Sequence, residues 1–261
     1  MRVVLLTSLS LRHKYIAHML SKELDLCLII TEEKSSKIES TTNMSSSDAT
    51  FVTQHFKARQ KNEKKFFSSY KDFPDNVEIV NLPHGEINNL ETFKLIKKEA
   101  PDYIVLFGTS IIKDPIMSAF SNQIINLHLG LSPYYKGSAT NLFPIYFNDL
   151  AGVGATIHIA TNKVDDGPVL HQMRPDIEVG DTIHDIGNRT ILKAGKLLPL
   201  VINTEKKIAK KFDGKGILCK ISDLSVEVLR KSYRNIENEL IESYLLNKKK
   251  HCSKKPIIEC L

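Results

Sequence analysis

Residues 124–137 read IINLHLGLSPYYKG, a short apolar strand followed by a loop that glycine and proline punctuate. Asn126 and His128 lie two positions apart in this strand, so their side chains point to the same face. Polar groups at the end of a buried strand are the usual location of a ligand site in an α/β protein. A lone pair of this kind more often satisfies backbone groups in the core, so this stretch alone leaves both interpretations open.

Upstream of this stretch, apolar runs alternate with segments of helical character. Near-continuous apolar runs such as LDLCLIIT are typical of strands covered on both faces, as in parallel sheets. We predict strands at 2–6, 24–31, 77–82 and 103–107, and helices at 12–22, 51–70, 90–99 and 111–120. The Ser- and Thr-rich residues 34–50 predict a surface loop. The pattern predicts an α/β fold with a doubly wound, Rossmann-like and mostly parallel sheet.

Downstream, the pattern predicts two more strands, at 154–160 and 169–173, and a long helix from about 183 to 211. Asp181 or Thr182 is expected to cap this helix, and Pro199 to kink or break it. The last fifty residues change character and predict a strand at 217–221 and a helix at 225–233. We therefore expect a main domain at 1–212 and a small C-terminal appendage at 213–261.

Composition narrows the class of protein. The 261-residue chain is 42% hydrophobic and 25% charged, which is typical of globular domains. No apolar run approaches the roughly 20 residues that cross a bilayer, and the run at 3–6 is too short for a secretory signal. Four cysteines at scattered spacings favour reduced thiols over a disulfide framework or a metal site. We expect a cytoplasmic protein without a membrane partner or a metal.

The formal net charge of +6 has three interpretations. It is consistent with nucleic-acid binding, with a preference for anionic small molecules, or with a solvated surface that ends in a basic tail. Much of the excess lies in residues 248–250 with Lys254 and Lys255, which need not touch any site.

A second informative stretch, residues 155–172, reads ATIHIATNKVDDGPVLHQ and predicts strand, turn and strand. Asp165, Asp166 and Gly167 fall at the bend, where Asp and Gly are ordinary turn formers. His158 and His171 lie in apolar surroundings and are better interpreted as packed or surface histidines.

Taken together, these stretches resemble the folate-dependent formyltransferase family. That family carries an N-x-H motif, an L-x-P-x-x-x-G loop and a later D-x-G-[PD] element, here N-L-H at 126–128, L-S-P-Y-Y-K-G at 131–137 and D-D-G-P at 165–168. The segment PDYIVLFG at 101–108 is similar to the family's strand before the folate pocket. The family loop often has Ser and Leu where this chain has Gly130 and Ser132, so the acceptor pocket can differ.

The resemblance implies transfer of a formyl group from 10-formyltetrahydrofolate to a primary amine, with Asn126, His128 and Asp165 as the catalytic trio and 1–212 as the catalytic domain. The Asn126 amide would donate to the oxygen that becomes negative, which is typically worth about 3 kcal/mol. His128 would donate to that oxygen when protonated or accept the amine proton when neutral. Asp165 would orient His128 and stabilise its charge.

The resemblance also implies a folate pocket built from main-chain groups of two segments. Its predicted residues are Phe107, Gly108, Thr109, Ser110, Ile111, Ile112, Thr161, Asn162, Val164 and Asp165.

For the acceptor, segments 126–140 and 180–189 are similar to chains that act on nucleotide-linked amino deoxysugars in surface polysaccharide (lipopolysaccharide, O-antigen) biosynthesis. Glycinamide ribonucleotide and methionyl-tRNA remain alternatives, although the first branch usually lacks this tail and the second usually carries a larger C-terminal barrel. The predicted acceptor contacts are Arg12, His13, Lys57, Arg59 and Tyr135.

Other functions keep part of this pattern. A 10-formyltetrahydrofolate hydrolase would use the same trio with water as the acceptor, whereas a non-catalytic binding protein would not need the trio. Small-molecule substrates are the expected partners; nucleic acid is not, although the basic tail leaves RNA open to test. An appendage of this size often serves as a dimer contact, so a homodimer is expected.

Overall fold

The computed structural model describes residues 1–35, 41–204, 210 and 216–261 and contains one large and one small sheet. The strands are β1 Arg2–Thr7, β2 Asp25–Glu32, β3 Glu78–Leu82, β4 Tyr103–Leu106, β5 Ile124–His128, β6 Tyr135–Gly137, β7 Ala155–Ile159, β8 Val169–Met173 and β9 Ile217–Cys219. The seven-stranded sheet has the order β3-β2-β1-β4-β5-β7-β8. Its first five strands are parallel, and β7 and β8 pair antiparallel to their neighbours. The predicted mostly parallel α/β fold is confirmed.

Helices cover both faces of this sheet. They are α1 Leu11–Glu23, α2 Ser46–Phe67, α3 Leu90–Glu99, α4 Ile116–Ala119, α5 Phe143–Tyr146, α6 Ile183–Asn203, α7 Val226–Glu237, α8 Leu240–Leu246 and α9 Lys248–Ser253. Val3 and Leu5 pack with residues of α1, α2 and α6, whereas Val4 and Leu6 pack with residues of α3 and α4. Burial on both faces explains the near-continuous apolar runs. The chain winds outward from β1 in both directions, so the switch point lies between β1 and β4, where a crevice opens at the carboxyl ends.

Helices α2 and α4 differ from their predicted boundaries. Helix α2 begins at Ser46, because the Ser45 hydroxyl accepts a hydrogen bond from the Asp48 N–H at 3.2 Å and caps it. The predicted 34–50 loop is therefore wrong for 46–50, and its residues 36–40 lie outside the described part. Helix α4 is shorter than the predicted 111–120, because Asn88 holds the backbone of Ile111 and Lys113 outside a helix through bonds of 2.9 and 2.7 Å.

Helix α6 starts as predicted. The Thr182 side chain accepts the Asp185 N–H and caps the helix, and the Asp185 carboxylate accepts the Thr182 N–H in return. The helix continues past Pro199 without a break and ends at Asn203, earlier than predicted, since Thr204 is extended. The expected end at 211 lies outside the described residues.

The C-terminal residues pack against the main sheet's loops. Strand β9 pairs in parallel with β6 and ends before the predicted Ile221, where a short 3-10 helix begins. Helix α7 is longer than the predicted 225–233, and part of the basic tail forms α9. The boundary at 212/213 lies outside the described residues, so the division into two domains stays a prediction. No helix in the described part of the chain combines the length and apolarity needed to cross a membrane.

Candidate active site

The three side chains singled out in the sequence meet at the carboxyl end of β5. Asn126 and His128 project from one face of the strand, and Asp165 reaches them from the segment after β7. Asn126 Nδ2 donates to Asp165 Oδ1 at 3.0 Å, and Asp165 Oδ2 lies 3.2 Å from His128 Nδ1. The structure thus joins the predicted trio in one contact network.

The backbone around Asp165 turns its carboxylate into the site. Asp165 has a left-handed conformation with φ of 46°, which Asp tolerates better than most residues. Its Oδ2 also accepts the Gly137 N–H at 2.8 Å. Gly137 has φ of 95°, and a Cβ there would lie 2.2 Å from the Cys219 carbonyl oxygen. The close approach of β9 therefore requires the glycine of the L-x-P-x-x-x-G motif.

His158 is a fourth member of the network. It lies opposite Asn126 in the β5–β7 pairing, and its Nε2 is 3.1 Å from Asn126 Nδ2. Its Nδ1 faces the Ile159 carbonyl oxygen at 2.9 Å, so Nδ1 carries the hydrogen and Nε2 accepts from Asn126. The sequence indicated a packed or surface histidine at this position and did not predict the contact with Asn126, which depends on the antiparallel pairing of the two strands.

Burial and the neighbouring groups together set the charges of the His128–Asp165 pair. Burial lowers the pKa of His128, although Asp165 and the Tyr135 carbonyl act in the opposite direction, so the ring is neutral near pH 7. Burial raises the pKa of Asp165, but His128, His158 and the Gly137 N–H lower it further, leaving the group ionised. His128 Nδ1 faces Asp165, and Nε2 faces the Tyr135 carbonyl at 3.1 Å. A neutral ring has one N–H for these two acceptors, so both are satisfied only when the ring gains a proton.

The trio lies on the wall of a cavity of about 1250 Å³ that opens at the switch point. The predicted folate-pocket residues all line it, from Phe107 to Ile112 and at Thr161, Asn162, Val164 and Asp165. In the described part of the chain, no group of three or more His, Cys, Asp or Glu side chains is arranged to hold a metal ion.

A cluster of cationic groups lines another part of the same cavity. Arg12, His13 and Arg59 were predicted acceptor contacts, and Lys34, which sequence reasoning missed, joins them. Arg12 Nη1 pairs with Glu63 Oε2 at 2.6 Å, and Lys34 donates to the Gly108 carbonyl. Burial lowers the pKa of Lys34 to about 8; Arg12 and Arg59 add to this, and Glu32 opposes it.

His13 is buried within this cationic cluster. Burial, then the charges of Arg12, Lys34 and Arg59, hold its pKa well below the ordinary range. Its Nδ1 has no hydrogen-bond partner within the described part of the chain. This wall therefore carries three cationic side chains near one histidine whose pKa they lower.

Two predicted acceptor contacts do not reach the cavity. Lys57 is exposed on α2, about 200° around the helix from Arg59. The Tyr135 ring is buried, and its hydroxyl donates to Asp149 at 2.7 Å. Its carbonyl oxygen, and not its side chain, faces the site through His128.

The C-terminal residues complete the cavity wall. Ile221, Leu224 and Leu229 line it, as do His55 of α2 and His184 of α6. Both histidines contact the Tyr233 hydroxyl, at 3.2 and 3.1 Å, and burial lowers their pKa values to about 4 and about 3. Only the packing of α2, α6 and α7 brings these side chains together, so no spacing in the sequence could have predicted them.

Residues 1–202 match the model of a protein family described as formyl transferase. The matched region contains the trio, His158 and the cationic cluster. It ends within α6, so the C-terminal residues of the cavity wall lie beyond it.

Individual relatives are similar over part of their length. The phosphoribosylglycinamide formyltransferase of Escherichia coli K12 is 31% identical over 119 residues, which are 45% of this chain and 56% of that protein. The chain covers 22% and 48% of the next two curated relatives, so it spans about half or less of their length.

Two solved structures share the fold. A sugar N-formyltransferase from Shewanella sp. FDAARGOS_354 aligns with a TM-score of 0.55 at 17% identity, covering 90% of this chain and 87% of that one. A phosphoribosylglycinamide formyltransferase from Anaplasma phagocytophilum also aligns with a TM-score of 0.55, at 14% identity, covering 84% of this chain and 98% of that one.

Proposed function

The chain belongs to the formyl transferase family, and from that premise we propose that it moves a formyl group from 10-formyltetrahydrofolate to the amine of a nucleotide-linked amino deoxysugar. The observation that carries the proposal is the contact network of Asn126, His128 and Asp165 on the wall of one large cavity. A role in surface polysaccharide biosynthesis, a cytoplasmic location and a homodimer stay predictions.

The His128–Asp165 pair suits the proton transfer in this reaction. Attack of the amine on the formyl carbon forms a carbon–nitrogen bond, places negative charge on the formyl oxygen and leaves the nitrogen positive. In neutral His128 the hydrogen belongs on Nδ1, because the Asp165 carboxylate is a stronger acceptor than a carbonyl. Nε2 is then available to take the amine proton. The same proton can pass to the folate nitrogen as its bond to the formyl carbon breaks.

Asn126 is placed to stabilise the negative oxygen but first has to exchange a partner. Its two amide hydrogens face Asp165 and His158. The bond to the Asp165 carboxylate is charge-assisted, so the bond to His158 is the weaker one to give up. We therefore expect the formyl oxygen to replace His158 as a partner of Asn126 when the donor binds. A donor placed in this way is typically worth about 3 kcal/mol.

The cationic cluster supports an acceptor that carries phosphate. Arg12, Lys34 and Arg59 lie close enough to lower the pKa of His13, and all four residues line the cavity. Charge-assisted hydrogen bonds to phosphate oxygens are among the strongest that side chains make. We propose that the phosphates of the acceptor lie here and that its amine reaches His128.

Glycinamide ribonucleotide also carries a phosphate, so charge alone does not separate these acceptors. The likeness of segments 126–140 and 180–189 to chains of the sugar branch supports that acceptor. The wall contributed by Ile221, Leu224 and Leu229 adds apolar surface suited to a group beyond the phosphates.

A transfer assay with 10-formyltetrahydrofolate and a panel of amines tests the proposal. The panel holds nucleotide-linked 3-amino and 4-amino deoxysugars, glycinamide ribonucleotide and charged initiator tRNA, and mass spectrometry reads the products. Gain of one CO by a nucleotide-linked sugar supports it. Transfer only to another amine of the panel would identify that amine as the acceptor instead. Formate release without any amine would indicate a hydrolase.

A further inference from the structure

Gln172 is a fully buried amide on β8 that joins three separate segments of the chain. Its Nε2 donates to the Ser132 carbonyl oxygen at 2.6 Å and to Thr156 Oγ1 at 3.1 Å. Its Oε1 accepts the Ile258 N–H at 3.1 Å. One side chain thus connects the loop after β5, strand β7 and the C-terminal segment.

Thr156 also binds the loop after β5. Its hydroxyl donates to the Gly130 carbonyl at 2.6 Å and accepts the Ser132 N–H at 3.0 Å. Together with Gln172, it satisfies main-chain groups on both sides of residue 131. Buried main-chain groups that are fully paired have little freedom to move, because each lost bond leaves an unsatisfied polar atom.

The loop bound by Gln172 and Thr156 leads directly into β6, whose main chain contacts both His128 and Asp165. The Tyr135 carbonyl faces His128 Nε2, and the Gly137 N–H donates to Asp165 Oδ2. The C-terminal residues reach this strand as well. Ile217 N–H donates to the Tyr134 carbonyl at 2.9 Å, and the Tyr134 hydroxyl donates to the Pro256 carbonyl at 2.8 Å.

We propose that Gln172 is a positioning residue that, with the C-terminal segment bound to it, sets where β6 places its carbonyl and N–H against His128 and Asp165. The geometric proposal stands on these contacts, and its catalytic consequence rests on the proposed formyl transfer. Gln172 does not line the cavity, so it acts through β6 and not on a substrate.

A displacement of β6 should shift the pKa of His128 in one direction. Asp165 and His158 are the titratable groups that face His128, and the Tyr135 carbonyl adds a partner for its charged form. When β6 moves away, His128 loses this partner and its pKa falls. Asp165 loses the Gly137 N–H at the same time, and its pKa rises. A general loss of stability would produce neither shift in the folded protein.

The test replaces Gln172 by Met, which keeps the length of the side chain and removes its hydrogen bonds. Thr190→Val is the matched control, because Thr190 is equally buried but bonds only to the Ile186 carbonyl of its own helix among the contacts described. Tyr134→Phe is a milder second variant that removes only the hydroxyl bonded to Pro256. For each protein, the pKa of His128 is measured by NMR on nitrogen-15 histidine, and formyl transfer is measured at saturation.

We expect Gln172→Met to lower the pKa of His128 by roughly half a unit and kcat by about fivefold, with KM for folate nearly unchanged. Tyr134→Phe should shift both in the same direction by less, and Thr190→Val should shift neither. An unchanged His128 pKa in folded Gln172→Met, or an equal shift in Thr190→Val, overturns the proposal. If Gln172→Met does not fold, an unchanged His128 pKa in Tyr134→Phe overturns it. Absence of transfer by the parent protein would count against the proposed function alone, since the NMR measurement still decides the positioning role.

Discussion

The two ends of the cavity satisfy their polar groups in different ways. At the reaction end, Asn126, His128, His158 and Asp165 bond to one another and to main-chain groups. The acceptor end is the wall formed by the cationic cluster. There, Arg12, Lys34 and Arg59 lie near His13, whose buried Nδ1 lacks a partner in the described part of the chain. The first arrangement fits one geometry for the proposed proton transfer, whereas the second has the positive charge that the proposed phosphate-bearing acceptor needs. Substitutions should therefore change kcat at one end and KM for the acceptor at the other.

The largest expected effect is at the reaction end. His128→Ala removes the proposed proton acceptor and leaves buried Asp165 without its partner, so kcat should fall about a thousandfold with the fold retained. Steady-state kinetics and a thermal melt check this. His84→Ala is the control, because His84 is exposed and contacts only the Glu33 carbonyl among the bonds described. A His128→Ala protein with near-normal kcat would remove His128 from the mechanism.

The difference between the two ends also explains what the sequence could predict. The reaction end lies on a few short segments, so the motifs at 126–128, 131–137 and 165–168 were enough to predict a trio that the fold brings together. Its catalytic role stays a prediction. The acceptor end is assembled from α1, α2, α6, α7 and the loop after β2, whose contacts depend on packing. Lys34 was therefore missed, and Lys57 was selected although the turn of α2 directs it away. The sheet was predicted well because strands buried on both faces have a distinctive apolar pattern.

A second prediction concerns the wall that holds the acceptor end in place. Asp185 of α6 accepts hydrogen bonds from Thr182 and from Asn62 and Lys65 of α2. Asp185→Asn should lower the free energy of unfolding by about 2 kcal/mol at pH 7. Burial raises the pKa of Asp185, but these bonds lower it more, and the net value is well below that of the unfolded chain. The stabilisation is therefore present above about pH 4 and is lost as pH falls below it.

Chemical denaturation at several pH values measures this contribution. Asp176→Asn is the matched control, because Asp176 is exposed and its ion pair with Lys193 is long, at 3.4 Å. Its effect should stay below about 0.5 kcal/mol. Equal effects of the two substitutions, or an Asp185 effect that grows as pH falls, would contradict the link between α2 and α6.

A smaller effect is expected from a single charge at the acceptor end. Arg59→Met should raise KM for the nucleotide-linked acceptor about tenfold and leave kcat within about twofold, since it removes one phosphate partner and no reacting group. Lys57→Met has the same charge change on the same helix but lies outside the cavity, so its KM should match the parent. A similar rise in both variants would mean that general surface charge attracts the acceptor.

The smallest expected effect is on pH dependence, which should differ between kcat at the reaction end and KM at the acceptor end. Burial lowers the pKa of His128 below its usual 6.5, so kcat should fall only as pH drops below that value and the ring becomes protonated before the amine arrives. Lys34, with a pKa of about 8, should lose its charge on the alkaline side, so KM for the acceptor should rise above pH 8. His55 and His184, with pKa values of about 4 and about 3, stay neutral through this range and add no further step. Lys34→Met should abolish the alkaline rise in KM and leave the acid fall in kcat unchanged. If Lys34→Met changes the acid fall in kcat as well as the alkaline rise in KM, the two ends titrate as one group. The division of the cavity into a reaction end and an acceptor end then fails.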